Sequence, residues 1–315
     1  MYRIGVDLGG TNIAVGVVDE NLKIIGRGKT KTKCPRPASE IFDDIALAVH
    51  MAIKDAGISM NDVLSVGVGT PGSVNKENGY IEFANNLDFN QVPAKKMLEE
   101  RLGKPVYLDN DANCAALGEA VAGVGDGVKN FVAVTLGTGV GSGIIVNGKI
   151  VVGANYCAGE MGHTVICVDG IPCNCGRKGC WEQYSSATAL ISQTKEAMKN
   201  NPSSLMWELV RGNIDDVSGR TAFDAMRQGD ETAAAVVDKY IYYLSVGICN
   251  IINTLQPEVI CIGGGISHEG PYLIKPLLKY VESQRYSIYS SVQTRIVAAE
   301  LGNDAGIFGA ALLDE

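Results

Sequence analysis

The sequence lacks the usual features of proteins that bind nucleic acids or enter membranes. Its 27 basic residues are outnumbered by 35 acidic ones, the net charge is -8, and the Lys and Arg residues form no cluster. Because affinity for nucleic acids rests on clustered basic side chains, we expect no nucleic-acid partner. No uninterrupted apolar stretch looks long enough to span a bilayer, and the aspartate at position 7 is unlike a signal peptide. We therefore expect no membrane partner and a cytoplasmic location.

Two common nucleotide-binding motifs are also missing. No glycine turn spells G-x-G-x-x-G, which excludes the dinucleotide-binding fingerprint. The segment 143–149, GIIVNGK, matches the first seven positions of a P-loop, but Ile150 replaces the required Ser or Thr. The same segment follows a strand-turn-strand pattern with Asn-Gly at its tip, whereas a P-loop must open a helix. Any nucleotide site must therefore be built in another way.

The order of predicted elements indicates two α/β domains. A chain of 315 residues is long for one core, and three β-rich runs followed by helix, strand, helix and strand predict a mixed sheet covered by helices. VDLGGTNIAVGVV, from Val6, and VTLGTGVGSGIIV, from Val134, share a strand, a glycine turn and a second strand, which indicates a duplication. We predict one domain at 1–112 plus 301–315 and another at 113–300. The latter contains a helix-rich insertion from Ala187 to Ala235.

One short segment, between Glu160 and Glu182, concentrates the metal-binding residue types. His163, Cys173, Cys175 and Cys180 form an H-x9-C-x-C-x4-C array. Three thiolates and an imidazole suit tetrahedral Zn²⁺, and four protein ligands leave no open position, so the predicted ion is structural. Cys167 is a rival ligand. Unligated or disulfide-bonded cysteines are the alternative, but Cys-x-Cys pairs only with strain and the lack of a secretory signal indicates a reducing compartment.

Three glycine turns, each at the end of a predicted strand, favour a nucleotide ligand. They are DLGGTN from Asp7, LGTGVGSG from Leu136 and the Gly263–Gly265 run. Such turns bring backbone N–H groups to an anion, and a carboxylate at the first turn could hold Mg²⁺ through water. By itself the first turn could equally be an ordinary hairpin turn. The predicted nucleotide and Mg²⁺ residues are Asp7, Gly9, Gly10, Thr11, Asn12, Gly137, Thr138, Gly139, Gly264 and Gly265.

The stretch LDNDAN, residues 108–113, ends a strand and begins a helix. Asp109, Asn110 and Asp111 could simply cap that helix, since Asp and Asn are favoured there. Asp111 also has the chemistry of a general base, because phosphoryl transfer to an alcohol needs a carboxylate beside the attacking hydroxyl. Both interpretations are open at this point.

Taken together, these segments resemble the ROK family of bacterial sugar kinases, most closely its glucokinases. The motifs that carry the resemblance are DLGGTN at Asp7, TPG at Thr70, DNDAN at Asp109, LGTGVG at Leu136, E-x-G-H at Glu160, C-x-C-G-x-x-G-C at Cys173 and IGGG at Ile262. The resemblance covers essentially the whole chain. It implies the actin-like ATPase fold, with two RNase-H-like domains around a central cleft, and an expected homodimer.

The resemblance also implies roles for individual residues. Asp111 falls on the family's catalytic base, and Gly9–Asn12 and Gly137–Gly139 fall on its ATP-phosphate turns. Its zinc ligands fall on the histidine and three cysteines named above. The implied sugar contacts are Gly72, Asn110, Asp111, Glu160, His163 and Glu182, with Asn85 or Asn86 as a further contact.

Several alternatives share these motifs. Glucose is the first choice of substrate, by family analogy, because Glu182 could accept hydrogen bonds from ring hydroxyls. Kinases for N-acetylmannosamine, N-acetylglucosamine or fructose fit nearly as well, and polyphosphate could replace ATP as donor. A sugar-sensing transcriptional regulator would need a helix-turn-helix ahead of the first strand, which is expected to begin here at Tyr2. A non-catalytic actin-like ATPase would have no role for the metal cluster.

Overall fold

The computed structural model describes residues 1–125 and 127–314, which divide into two compact units. The first comprises residues 1–133, residues 143–159 and the C-terminal stretch from Glu300. The second comprises Val134–Ser142 and Glu160–Ala299. The predicted boundary after residue 112 falls inside the first unit, and that finer division stays a prediction.

A five-stranded mixed sheet forms the centre of the first unit. The strands up to residue 110 are β1 (Tyr2–Leu8), β2 (Asn12–Val18), β3 (Ile24–Lys31), β4 (Val63–Thr70), β5 (Ser73–Asn75), β6 (Tyr80–Ala84), β7 (Phe89–Val92) and β8 (Val106–Asn110). The sheet has the order β3-β2-β1-β4-β8, with β1, β2 and β3 antiparallel and β1, β4 and β8 parallel. The remaining strands form a small antiparallel sheet in the order β5-β6-β7.

The second five-stranded sheet repeats the order of the first. Its strands are β9 (Phe131–Leu136), β10 (Val140–Val146), β11 (Lys149–Ile150), β12 (Val259–Gly263) and β13 (Arg295–Ala298), in the order β11-β10-β9-β12-β13. Numbered within each copy, both sheets read third, second, first, fourth, fifth strand. This common topology confirms the duplication predicted from the two glycine-turn segments.

Helices follow corresponding strands in the two copies. They are α1 (Ala38–Ala56), α2 (Ala94–Leu102), α3 (Asp111–Val121), α4 (Glu182–Ser185), α5 (Ala187–Asn200), α6 (Met206–Leu209), α7 (Thr221–Arg227), α8 (Glu231–Leu255), α9 (Pro271–Gln284) and α10 (Ala305–Ala311). In α1, Ile41, Ile45 and Val49 are fully buried at helical spacing, and Gly57 ends the helix at a φ of 68°. Helices α5, α6 and α7 lie within the predicted insertion, residues 187–235.

The C-terminal helix α10 packs against β1, β4 and α3 through glycines. A Cβ at Gly309 would lie 1.6 Å from the carbonyl oxygen of Cys114 in α3, and one at Gly5 would lie 1.8 Å from that of Ile307. Only residues without a Cβ allow these backbones so close together. Beyond the helix, the Asp314 carboxylate accepts hydrogen bonds from Arg3 Nε, at 2.8 Å, and Ser65 Oγ, at 2.6 Å. The C-terminal stretch is therefore an integral part of the first unit.

By length and composition alone, one helix among the described residues, α8, could cross a bilayer. Of its 18-residue apolar window, 61% is buried inside the protein. That burial is typical of a core helix, and Tyr240, Leu244 and Ile248 are among its fully buried side chains. The expectation that no stretch is long and apolar enough is therefore wrong for α8, and the expected absence of a membrane partner stays a prediction.

The close approach of α10 to α3 predicts a large cost for a single added methyl group. We expect Gly309→Ala to lower the free energy of unfolding by about 3 kcal/mol or more, because the two backbones must separate. Gly263→Ala is the matched control, since its Cβ would meet its nearest neighbour at an ordinary 3.6 Å. Urea unfolding followed by circular dichroism measures both; equal midpoints for the two variants would contradict this account of the packing.

Candidate active site and metal centre

The four predicted metal ligands come together in the second unit. One ligand atom from each of His163, Cys173, Cys175 and Cys180 lies within 4.8 Å of all the others. Cys173 Sγ is 3.6 Å from Nδ1 of His163, and the sulfurs of Cys175 and Cys180 are 3.5 Å apart. Around a tetrahedral zinc with Zn–S bonds of about 2.3 Å, sulfurs lie roughly 3.8 Å apart, so the cluster fits this ion. The arrangement presents His163 to a metal through Nδ1, not Nε2.

Backbone turns hold the ligands in place. Cys173 N donates to Arg177 O at 2.8 Å, Gly176 N donates back to Cys173 O at 3.0 Å, and Gly176 has a φ of 87°. These bonds close a tight turn that brings Cys175 beside Cys173. Cys167, the rival ligand considered from the sequence, is not a member of the cluster.

Glu182 lies directly against the second glycine turn. Its Oε2 accepts a hydrogen bond from Val140 N at 3.0 Å, and a Cβ on Gly139 would come within 2.1 Å of the same oxygen. The preceding residue, Trp181, is fully buried and donates from Nε1 to Tyr243 O at 3.1 Å. The indole anchors the start of α4, so the carboxylate of Glu182 has a defined position. One predicted sugar contact therefore touches a predicted ATP turn.

The second and third glycine turns are neighbours. Gly137 N donates to Gly139 O at 3.0 Å, and Gly137 O accepts from Ala187 N, at the start of α5, at 2.9 Å. Gly264 has a φ of 84°, and a Cβ there would lie 2.4 Å from Leu136 O, just before the second turn. Glycine is thus required at position 264 for two reasons, its φ and this close approach. Because the second and third glycine turns lie side by side, one ligand could contact both.

The first glycine turn is braced by a threonine that the sequence analysis missed. Gly9 N donates to Asn12 O at 3.0 Å. The fully buried Thr32 donates from Oγ1 to Gly9 O at 2.6 Å and from its backbone N to Thr11 O at 3.0 Å. Thr32 follows β3, so no local pattern connects it with residues 9–12. Asn86 lies near the same turn, since its Cβ would be 3.9 Å from a Cβ built on Gly10.

Asp7, at the end of β1, is a half-buried carboxylate. Burial, together with the negative charge of Asp111, raises its pKa to about 6. A Cβ on Gly306 would lie 3.1 Å from Asp7 Cγ, which places the carboxylate against the start of α10. A bound cation would favour the ionised form, so the site suits the predicted Mg²⁺ role.

The strand–helix junction after β8 has the predicted helix cap, and the catalytic role of Asp111 stays a prediction. Asn110 caps α3, because its Oδ1 accepts from Ala112 N at 2.9 Å and from Asn113 N at 3.3 Å. Its Nδ2 donates to Gly72 O at 3.0 Å, which joins two predicted sugar contacts. Burial raises the pKa of Asp111, while hydrogen bonds from Ala112 N and the Asn110 side chain oppose that rise. Asp111 is thus a partly desolvated carboxylate, as a general base requires.

Sequence reasoning also missed the partners of Asp109. This buried carboxylate pairs with Lys76, from the loop between β5 and β6, and accepts from Asn113 Nδ2 at 2.9 Å. Lys76 lies far from residue 109 in the chain and belongs to no recognisable motif.

The predicted residues fall into one set in each unit. The first unit holds Asp7, Gly9–Asn12, Gly72, Asn85, Asn86, Asn110 and Asp111, and the second holds Gly137–Gly139, Glu160, His163, Glu182, Gly264, Gly265 and the zinc-type cysteines. Asn85 and Asn86 are both exposed, and Glu160 directly precedes the short helical turn of His163. Their individual roles stay predictions.

The repeated sheet order, with glycine turns at the ends of β1 and β9, defines a protein of the actin-like ATPase fold. The chain belongs to the ROK family, whose model matches residues 3–315. A glucokinase of Halalkalibacterium halodurans is 39% identical over 98% of this chain and 93% of its own length. A xylose repressor of Caldicellulosiruptor bescii is 30% identical over 97% of this chain and 76% of its own.

A solved structure is similar over the same extent. It is a ROK family glucokinase from Streptomyces griseus in complex with glucose and AMPPNP, with a TM-score of 0.83 and 37% identity. The match covers 99% of this chain and 98% of that one. The family resemblance drawn from the seven motifs and the expected fold are both confirmed.

The cluster geometry predicts that loss of one thiolate releases the metal. We expect Cys175→Ser to bind less zinc and to raise the KM for sugar on the order of tenfold, because His163 loses its orientation. Cys167→Ser is the matched control, since Cys167 lies outside the cluster, and it should keep its zinc. Metal content by mass spectrometry and steady-state kinetics measure the two effects. A Cys175→Ser protein with full sugar affinity and no zinc would show that the cluster does not support the site.

The raised pKa of Asp7 predicts a pH-dependent penalty on stability. Its folded-state pKa, about 6, exceeds the ordinary value of 3.8. The ionised carboxylate is therefore unfavourable in the folded protein, and the free energy of unfolding falls as the pH rises from about 3.8 to about 6. Without ligands, we expect Asp7→Asn to be more stable than the wild type by about 3 kcal/mol at pH 7.5 and about 1 kcal/mol at pH 4.5. Denaturant unfolding at both pH values tests this. If Asp7→Asn were more stable than the wild type by the same amount at both pH values, the raised pKa of Asp7 would not be the cause.

Proposed function

We propose that this chain is an ATP-dependent glucokinase, which transfers the γ-phosphate of ATP to the 6-hydroxyl of glucose. The observation that carries the proposal is the match, over nearly the whole of both chains, to a glucokinase structure solved with glucose and AMPPNP. The glucokinase from Halalkalibacterium halodurans supports the same activity. A sugar kinase also gives a role to the carboxylate, the glycine turns and the metal cluster together.

Asp111 is the proposed general base. Its carboxylate takes the proton of the 6-hydroxyl as that oxygen bonds to the γ-phosphorus, and the bond from phosphorus to the β,γ-bridging oxygen breaks to release ADP. Burial raises its pKa above the ordinary value, so the carboxylate is a stronger proton acceptor than one in water. Its place at the start of α3, where Ala112 N donates to Oδ1 at 2.9 Å, limits its movement.

The other sugar hydroxyls are held by fixed groups. We assign these contacts to Gly72, Asn85, Asn110, Glu160, His163 and Glu182. Asn110 is preorganised by its helix cap and its bond to Gly72 O, and Glu182 by its bond from Val140 N. Since His163 Nδ1 faces the cysteines, Nε2 is the ring nitrogen left for a hydroxyl. Such positioning is the main demand that phosphoryl transfer makes on a protein.

The glycine turns are the proposed nucleotide site. Backbone N–H groups of Gly9–Asn12 and Gly137–Gly139 bind the phosphates, and Gly264–Gly265 approaches the base or sugar of the nucleotide. Asp7 would hold Mg²⁺, which would supply positive charge to the phosphates. Structural Zn²⁺, when bound by His163, Cys173, Cys175 and Cys180, orients the imidazole and the segment around it.

Because the chain is also similar to a xylose repressor, a regulatory role is the second candidate function. This chain spans about three quarters of that protein. A regulator would bind sugar without turning ATP over, so turnover separates the two functions. We further propose a cytoplasmic homodimer that has neither nucleic-acid nor membrane partners; size-exclusion chromatography with light scattering tests the dimer.

The role of Asp111 predicts a selective loss of turnover. We expect Asp111→Asn to lower kcat by about 10²- to 10⁴-fold, because the amide cannot accept the hydroxyl proton. The variant should melt at a temperature no lower than that of the wild type, because burial raises the pKa of Asp111, and it should bind glucose in calorimetry, since the change preserves shape. A kcat within threefold of the wild type would refute the assignment.

The choice of substrate is tested by a panel. With ATP we expect kcat/KM to be highest for glucose among glucose, fructose, mannose, N-acetylglucosamine and N-acetylmannosamine, measured by coupled detection of ADP. Polyphosphate in place of ATP, with direct detection of the sugar phosphate, tests the other donor. A preference for an N-acetyl sugar would identify a hexosamine, and not glucose, as the substrate. No turnover with any sugar would favour the regulatory function.

A further inference from the structure

The loop between β5 and β6 reaches the catalytic junction through a lysine. Lys76 forms an ion pair with Asp109, whose side chain is only 3% exposed, whereas that of Lys76 is 33% exposed. A buried carboxylate is costly unless a charge or several hydrogen bonds compensate it. Within the first unit, Lys76 is the positive charge that compensates Asp109.

Asp109 in turn organises the residues that follow it. Its Oδ1 accepts from Asn110 N at 2.7 Å and from Asn113 Nδ2 at 2.9 Å. Asn110 caps α3, and Asp111 is the first residue of that helix. The direction of the Asp111 carboxylate therefore depends on the hydrogen bonds that Asp109 accepts from its neighbours at the junction.

Lys76 itself has a fixed place in the chain. The side chain of Asn75 accepts from Glu77 N at 3.2 Å and from Asn78 N at 3.3 Å, and Asn75 Nδ2 donates to Glu82 at 3.0 Å. These bonds close the turn around Lys76. Gly72 lies just before β5 and accepts from Asn110 Nδ2 at 3.0 Å. The β5–β6 hairpin is thus joined to the junction at two points, one a hydrogen bond and one an ion pair.

We propose that Lys76 is a positioning residue for phosphoryl transfer: by pairing with Asp109 it holds the junction that aims the Asp111 carboxylate at the sugar hydroxyl. The inference rests on the proposed kinase function. Lys76 does not need to touch either substrate.

The loss of Lys76 should change turnover more than binding. In Lys76→Met, Asp109 loses its counter-charge, and we expect kcat to fall on the order of 10- to 100-fold, with the KM values for ATP and glucose within about threefold of the wild type. The acid limb of the pH–kcat profile should move to higher pH, because Asp111 would then face Asp7 and Asp109 without a compensating cation.

Two further variants separate positioning from a general structural role. Lys76→Arg keeps the charge and should restore kcat to within about fivefold of the wild type, though Arg and Lys differ in geometry. Lys76→Met/Asp109→Asn removes both charges and should be more active than Lys76→Met alone, because Asn needs no counter-charge. Lys95→Met is the matched control: Lys95 lies 5.8 Å from the centre of the Tyr107 ring and should leave kcat unchanged.

The outcomes are distinguishable with purified full-length protein. A kcat for Lys76→Met within twofold of the wild type would overturn the proposal, as would an unmoved acid limb together with no gain in the double variant. A wild-type protein that does not phosphorylate glucose with ATP would overturn both this inference and the proposed function. Active wild type with the expected kcat loss, Arg rescue and double-variant gain would support both.

Discussion

The first unit buries several carboxylates around one strand–helix junction, and most features of its site can be understood from how each is compensated. Asp109 is paired with Lys76, and Asp111 accepts a hydrogen bond from Ala112 N. Asp7 has less compensation within the protein, and its pKa is raised to about 6. An uncompensated buried charge is unfavourable in the ligand-free protein but well suited to a cation. In the proposed function, stability without ligand and affinity for MgATP are set against one another at Asp7.

The second unit solves a different problem, since it must place polar groups on a segment with little regular structure. Residues 160–181 contain only short turns and bridges, so few backbone ladders hold them. The histidine and the three cysteines of the cluster bring distant parts of the segment to one point, and the buried indole of Trp181 anchors its end. A metal can thus support a substrate site without taking part in the chemistry.

Local patterns were reliable wherever the relevant residues lie close together in the chain. The spacing of His163, Cys173, Cys175 and Cys180 was enough to predict their convergence, because one short loop connects them. The glycine turns were visible for the same reason, and the two turn segments revealed the duplication that the sheet orders confirm. Partners from distant segments were not visible. Thr32 braces residues 9–12 from the end of β3, and Lys76 reaches Asp109 from another hairpin.

The sequence by itself therefore determined the family, the fold, the histidine–cysteine cluster and the positions of the glycine turns, since each is encoded by residue types at short, regular spacings. The tertiary structure alone decided which oxygen or nitrogen of each side chain is already engaged. Oε2 of Glu182 is bonded to Val140 N, His163 faces the cysteines through Nδ1, and Asp109 requires Lys76. These pairings depend on the packing of distant segments and on the cost of burying charge, which no local spacing records.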